Sequence, residues 1–227
     1  RKKIVLVIVE GPSDNAALGV MLNQVYDKDS VYVYIMHGDI TTRTGVTSQN
    51  IISKIGNEVR GYAKSHHYTA KDFKQIIHIV DTDGAYIPED RILEEQDCNE
   101  ILYESDGIHT LNRQAIIRRN QQKQENLYRL TSTGQIWKIP YKVYYMSCNL
   151  DHVLHNKRNS EDDAYAFAIR YRKNLEGFVK FICESDFSVE GEYKETWAYI
   201  EDGMNSIERH TNLGICITEE LQNRRIN

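Results

Sequence analysis

The chain has 227 residues, 41% of them apolar and 27% charged, with a net charge of −5 at neutral pH. That length fits one large domain or a domain with an appended lobe, and the composition excludes an intrinsically disordered chain. The longest apolar run, Ile4 to Val9, is far short of the ~20 residues that a membrane helix needs, and no charged, apolar and small signal segment opens the chain. A cytoplasmic protein that makes no membrane contact is therefore expected.

Ile4–Val9 is an uninterrupted Ile/Val/Leu run, the pattern of a strand buried on both faces of a parallel sheet. Gly11-Pro12-Ser13 breaks it, and Ser13 or Asp14 is placed to cap a helix in which Leu18, Met21, Leu22 and Val25 recur at helical spacing. The unit then repeats. Val31–Met36 reads as a β-branched and aromatic strand ending at Gly38, and Ile51, Ile52, Ile55, Val59 and Tyr62 form the apolar stripe of a helix. Ile76–Val80 is a third buried strand, ending in Asp81-Thr82-Asp83-Gly84. Alternating strands and helices predict a parallel α/β sheet with right-handed crossovers.

The next stretches are organised by charge. From Asp81 to Asp106 ten acidic residues face Arg91 alone, a local balance of −9. From Arg113 to Lys142 seven basic residues face Glu125, a balance of +6. An acidic cluster able to hold cations beside a basic face able to hold phosphates suits a metal-dependent phosphodiesterase, whereas two solvated faces would give the same pattern. Residues 85–140 read as an insertion carrying a polar helix at about Leu111–Tyr128, and Tyr141–Met146 as the fourth strand. Beyond Ser147 the chain reads as a helical cap over residues 151–227, with a helix at Ala164–Ile182 and a weaker one at Thr196–Arg209. Cys98, Cys148, Cys183 and Cys216 lack zinc-ligand spacing and are expected to be reduced thiols.

Ligands of open parallel sheets bind beyond the carboxyl ends of the strands. Glu10 follows the first strand, Asp81 and Asp83 the third, and Ser147 the fourth. Carboxylates gathered at one edge repel one another unless a cation neutralises them, and hard oxygen ligands suit Mg²⁺ or Mn²⁺. One ion or two is left open.

A hydrophobic strand running into Glu10-Gly11-Pro12-Ser13-Asp14 and a helix, followed by a hydrophobic strand running into Asp81-Thr82-Asp83, resembles the Toprim domain of topoisomerases, bacterial primases, RNA-maturing nucleases and the overcoming-lysogenization-defect nucleases of phage defence. The resemblance covers residues 3–90, with 141–151 as the fourth strand. It implies a Toprim-like domain over residues 1–150. It also implies a catalytic and metal-held Glu10, with Asp81 and Asp83 as metal ligands and Asp14, the acidic position that some nuclease members add, as a fourth. A lysine facing the phosphate is expected by the same resemblance, and Lys157 is the nearest candidate after the fourth strand. No topoisomerase or primase domain fits beside it in this length, which favours the nuclease branch and, within it, the Toprim-like abortive-infection proteins, toxic effectors of phage defence. Nucleic acid is the implied substrate, with Arg118, Arg119 and Lys123 tracking its backbone and Ser147 touching a phosphate. The chain has no Gly-x4-Gly-Lys-Ser/Thr, so any ATPase would be a separate partner chain, and homo-oligomerisation is left open.

Two other readings compete. Val80-Asp81-Thr82-Asp83-Gly84 also resembles the nucleophile motif of haloacid-dehalogenase-type phosphatases, in which Asp81 would form an aspartyl phosphate and Ser147 would hold the phosphate. A Toprim-like scaffold that binds a partner without catalysis is the third.

Overall fold

All six residues of Ile4–Val9 (β1) are buried, because the strand runs through the middle of a sheet covered on both sides. Val5, Val7 and Val9 enter one core, and Ile4, Leu6 and Ile8 enter another, so the period-two alternation of side chains separates two apolar layers of equal quality. This computed structural model describes residues 3–12, 15–26, 31–35, 39–159 and 164–226. Ser13, Asp14, Met36 and Gly38 lie outside the described residues, so the predicted helix cap and the fourth metal ligand lie there too.

The main sheet has the order β2-β1-β3-β8-β7, built from Val31–Ile35 (β2), β1, Phe73–Asp81 (β3), Ile139–Met146 (β8) and the short Gln135–Ile136 (β7). The first four are parallel and β7 is antiparallel to its neighbour. The predicted α/β class with a parallel sheet flanked by helices is therefore what the chain forms.

On one face lie Val20–Val25 (α1), entered through a π-helical turn at Asn15–Gly19, and several C-terminal helices. On the other lies Ile51–Ser65 (α2), in which Ile51, Ile55 and Val59 of the predicted stripe are buried, Ile52 and Tyr62 pack partly buried against the same core, and Ala63 joins them. Small strands Ile92–Glu94 (β4), Leu102–Glu104 (β5) and Gly107–Thr110 (β6) follow, then the helix Arg113–Thr131 (α3), which Asn112 caps by accepting from the Ala115 amide at 3.0 Å.

The inserted segment is thus not only helical. Residues 92–110 form a second sheet, order β4-β6-β5, over a small core of Ile87, Ile92, Ile108, Ile116, Ile117 and Ile207. Its strands are three or four residues long and partly exposed, too short for an alternation to register in the sequence. Gly107, at φ 153°, is fixed by a close approach: a Cβ there would lie 1.9 Å from the Arg91 carbonyl oxygen.

The C-terminal region also differs from expectation. The helix anticipated over Ala164–Ile182 is two helices, Ala164–Tyr171 (α5) and Leu175–Cys183 (α6), after Leu150–His155 (α4). Asn174 separates them, its side chain accepting from the Gly177 amide at 2.9 Å as a new N-cap. Tyr193–Ile200 (α7) ends before the turns that occupy the rest of the predicted 196–209 helix, and Leu213–Ile226 (α8) was not anticipated. Helices α4, α5, α6 and α8 share the core of one face, whereas Trp197 and Ile200 of α7 join the core of the other. The cap therefore wraps both faces of the sheet instead of covering one. No helix among the described residues is long and apolar enough to cross a membrane, and all four cysteines are free thiols.

Candidate active site

Three neighbouring strands deliver carboxylates to one edge. β1 pairs Ile8 with His78 of β3, so the chain leaves β1 at Glu10 and β3 at Asp81 at nearly the same level. Asp39 follows β2, the other neighbour of β1. Burial is the main reason that Glu10 holds its proton well above the usual carboxylate range, and the negative charges of Asp39, Asp81 and Asp83 add to it against the opposing pull of Lys123. Glu10, Asp81 and Asp83, singled out in the sequence, thus act on one another here. Asp39 was missed.

Asp83 is set by its backbone. It lies at φ 49° and Gly84 at φ 63°, two successive left-handed residues that turn the chain sharply out of β3. Four bonds fix this turn: the Thr82 amide donates to Met146 O (3.0 Å), the Asp83 amide to Cys148 O (2.8 Å) and the Gly84 amide to Ser206 O (3.2 Å), while the Thr82 hydroxyl donates to Ser206 O (2.6 Å). The Arg119 guanidinium closes it from the other side, donating to Asp83 O at 2.7 Å.

The centre of the cluster is Lys123. Its ammonium donates to Asp39 Oδ2 at 2.8 Å and to Asp83 Oδ2. The lysine side chain is 0% exposed, whereas Asp39 is 16% and Asp83 23% exposed, so the ammonium is enclosed and the carboxylates reach solvent. Burial works against the charged amine, but Asp83, Asp39 and Glu10 outweigh it and hold its pKa well above the ordinary value. Burial likewise opposes ionisation of Asp39, yet Lys123 and the hydroxyls of Thr41 and Thr42 bring its pKa far below the usual range.

Helix α3 can bury a lysine because its polar side chains are spent on backbone. Asn120 donates to Gly84 O (3.3 Å), Gln124 to Ala85 O (2.6 Å), Asn126 to Thr41 O (2.6 Å), and Gln122 to Arg43 O (3.1 Å) and Val46 O (3.0 Å). The helix is a clamp joining the 39–46 loop to the turn at residues 83–85. Two expectations for the basic stretch are corrected by this placement. Lys123 is enclosed within the protein, and Arg119 is engaged with Asp83 O, Asn120 Oδ1 and the Tyr103 hydroxyl. Neither presents a free face to a polynucleotide. Arg118 is exposed, as are Arg129 and Lys138.

Ser147 is 0% exposed and its hydroxyl is shared between the carbonyls of Asn205 (2.8 Å) and Glu208, so it offers a phosphate nothing. Lys157 is exposed in the turn after α4. Of the acidic stretch, Asp81 and Asp83 act on Glu10, whereas Glu95 and Asp106 accept from His109 at 2.7 and 3.0 Å on the small sheet.

Among the described residues no three His, Cys, Asp or Glu side chains form a ready-made group for a metal ion. Mg²⁺ keeps several of its waters and is held by as few as one or two carboxylates, so hard oxygen donors of the kind that Glu10, Asp81 and Asp83 carry would suit such an ion through one or two of them. Comparison with known protein families, with curated proteins and with solved structures finds no match.

The raised pKa of Glu10 gives a pH-dependent prediction. Its stabilising effect is fully present below the ordinary value of 4.5 and is lost as pH rises through the folded-state value. Glu10→Gln should remove that loss, so its melting temperature should match the wild type near pH 5 and exceed it at pH 8, by about 2–4 °C per kcal/mol relieved. Equal slopes of melting temperature against pH in the two proteins would show that Glu10 ionises without strain.

Proposed function

We propose that this chain is a divalent-metal-dependent nuclease, hydrolysing phosphodiester bonds with Mg²⁺ or Mn²⁺ at the edge formed by Glu10, Asp81 and Asp83. The observation that carries the reading is the convergence of these three carboxylates from the adjacent strands β1 and β3, at the end of a parallel sheet where substrates bind. The likeness of the two motifs to a Toprim domain supports it, because their spatial pairing is what that chemistry requires.

A bound ion would be held by Asp81, Asp83 and Glu10, and it would polarise the scissile phosphate and lower the pKa of a water. Asp83 is oriented for this by Lys123 and by its left-handed turn. Glu10, with proton affinity already raised, is the group that accepts the proton of the attacking water. Lys123 and Asp39 form the rigid, charge-balanced floor below.

The phosphatase reading loses its phosphate ligand, since Ser147 faces inward. The substrate backbone is assigned to Arg118 and Arg129, which are eleven positions apart and so lie on one exposed side of α3. Each phosphate contact removed should reduce the slope of log affinity against log salt by about one. Arg118→Ala with Arg129→Ala should therefore weaken binding of single-stranded and duplex probes alike and flatten the slope by about two. Filter binding over a salt series, with DNA and RNA probes, checks this and identifies the preferred polymer. An unchanged slope would take α3 out of the substrate path.

A further inference from the structure

We propose that the ammonium of Lys123 is a built-in second cation of this site, so that Glu10, Asp81 and Asp83 take up one divalent ion and not a pair. The proposal rests on the metal-dependent reading above.

A two-ion site needs carboxylate oxygens free to face both ions, about 3.5–4 Å apart, with at least one carboxylate shared between them. Asp39 cannot serve. Its Oδ1 accepts from the Thr41 amide (2.7 Å) and the Thr41 hydroxyl (2.5 Å), and its Oδ2 accepts from the Thr42 hydroxyl (2.8 Å) and from Lys123 (2.8 Å). A carboxylate has about four acceptor positions, and all four are filled. Asp39 is a ligand of the lysine.

Asp83 is the shared carboxylate. Its Oδ2 is taken by Lys123, while its Oδ1 accepts no hydrogen bond from the described residues. One side of Asp83 thus meets a fixed ammonium and the other is open to an ion, the arrangement of a bridging carboxylate with an amine in one of the two cation positions. The amine is not a mobile occupant. It is 0% exposed, and the neighbouring turns of α3 are tied by Arg119, Asn120, Gln124 and Asn126 to the loops that carry Asp83 and Asp39. An entering ion would have to leave an ammonium buried without its carboxylates, which is strongly unfavourable.

The test is a count of Mn²⁺ bound per chain, read by the loss of the free-ion paramagnetic resonance signal during titration of the full chain. Wild type should bind one ion, and Lys123→Met, which keeps the bulk and removes the charge, should bind two. Two ions on the wild type overturn the proposal and leave the metal-dependent reading standing, whereas none overturns that reading as well. One ion on a folded Lys123→Met protein also overturns the proposal, since something other than the lysine then excludes the second. If that variant does not fold, two ions on the wild type still overturn the proposal. As a further variant, Lys123→Met combined with Asp39→Asn removes both buried charges and should return the count to one; two ions on it would place the second ion elsewhere and overturn the assignment.

Discussion

Lys123→Met should lower the stability of the fold by about 3–5 kcal/mol, the cost of removing one partner from a buried ion pair. For a chain of this size that is a fall in melting temperature on the order of 10 °C. The attraction of Asp83, Asp39 and Glu10 outweighs the desolvation of the Lys123 ammonium and keeps it charged in the folded protein. Its loss is costly because Asp39, pinned by Thr41 and Thr42, and Asp83, pinned by its left-handed turn, would keep their negative charges together without a counter-charge. Adding Asp39→Asn to the variant should recover part of the loss, a non-additivity that isolates the pair. Thermal and urea unfolding of the single and double variants check this. A loss under about 1 kcal/mol, the range of solvent-exposed pairs, would mean that water reaches the ammonium.

Asp81→Asn should abolish activity and leave the fold intact. Asp81 ends β3 at an intermediate exposure, and the two carboxylates that accept from the Lys123 ammonium are Asp39 and Asp83, so removing the charge of Asp81 leaves both of those contacts in place. A bound ion would supply several kcal/mol of transition-state stabilisation, and each ~1.4 kcal/mol lost is tenfold in rate, so a fall of about 10³-fold or more is expected. Asp83→Asn should behave differently, losing activity and stability together, since it removes a negative charge that faces the buried Lys123 ammonium. Cleavage assays run beside melting curves separate the two aspartates. Equal melting losses in both would contradict this distinction.

What the sequence made legible and what it hid follow from the same physics. Ile4–Val9, Ile76–Val80 and the stripe Ile51, Ile55, Val59 are long and apolar enough to reveal strands and a helix without tertiary knowledge. Glu10, Asp81 and Asp83 were found because they follow such strands. Asp39 follows β2 in the same way. It lies in a polar stretch where such residues are common, although Asp39-Ile40-Thr41-Thr42 is the pattern of a carboxylate accepting from its own following residues. Helix α3 misled for another reason. Asn120-Gln121-Gln122-Lys123-Gln124-Glu125-Asn126 has the composition of a solvated surface, yet Asn120 and Asn126 are buried donors to loop carbonyls, Gln124 is a half-buried one and the lysine is a core residue. Only the partners distinguish these cases, and they lie 36 to 85 residues away in the chain. The 92–110 sheet was hidden by the shortness of its strands.

The central claim is that Glu10, Asp81 and Asp83 hold one catalytic divalent ion for phosphodiester cleavage. It is tested most directly by incubating the purified chain and its Asp81→Asn variant with single-stranded and duplex DNA and RNA, in EDTA and then with Mg²⁺ or Mn²⁺ restored. The account predicts cleavage of at least one polymer by the wild type only when the ion is present, and none by the variant. Cleavage that persists in EDTA or in Asp81→Asn, or no cleavage of any of these polymers with either ion, would contradict it.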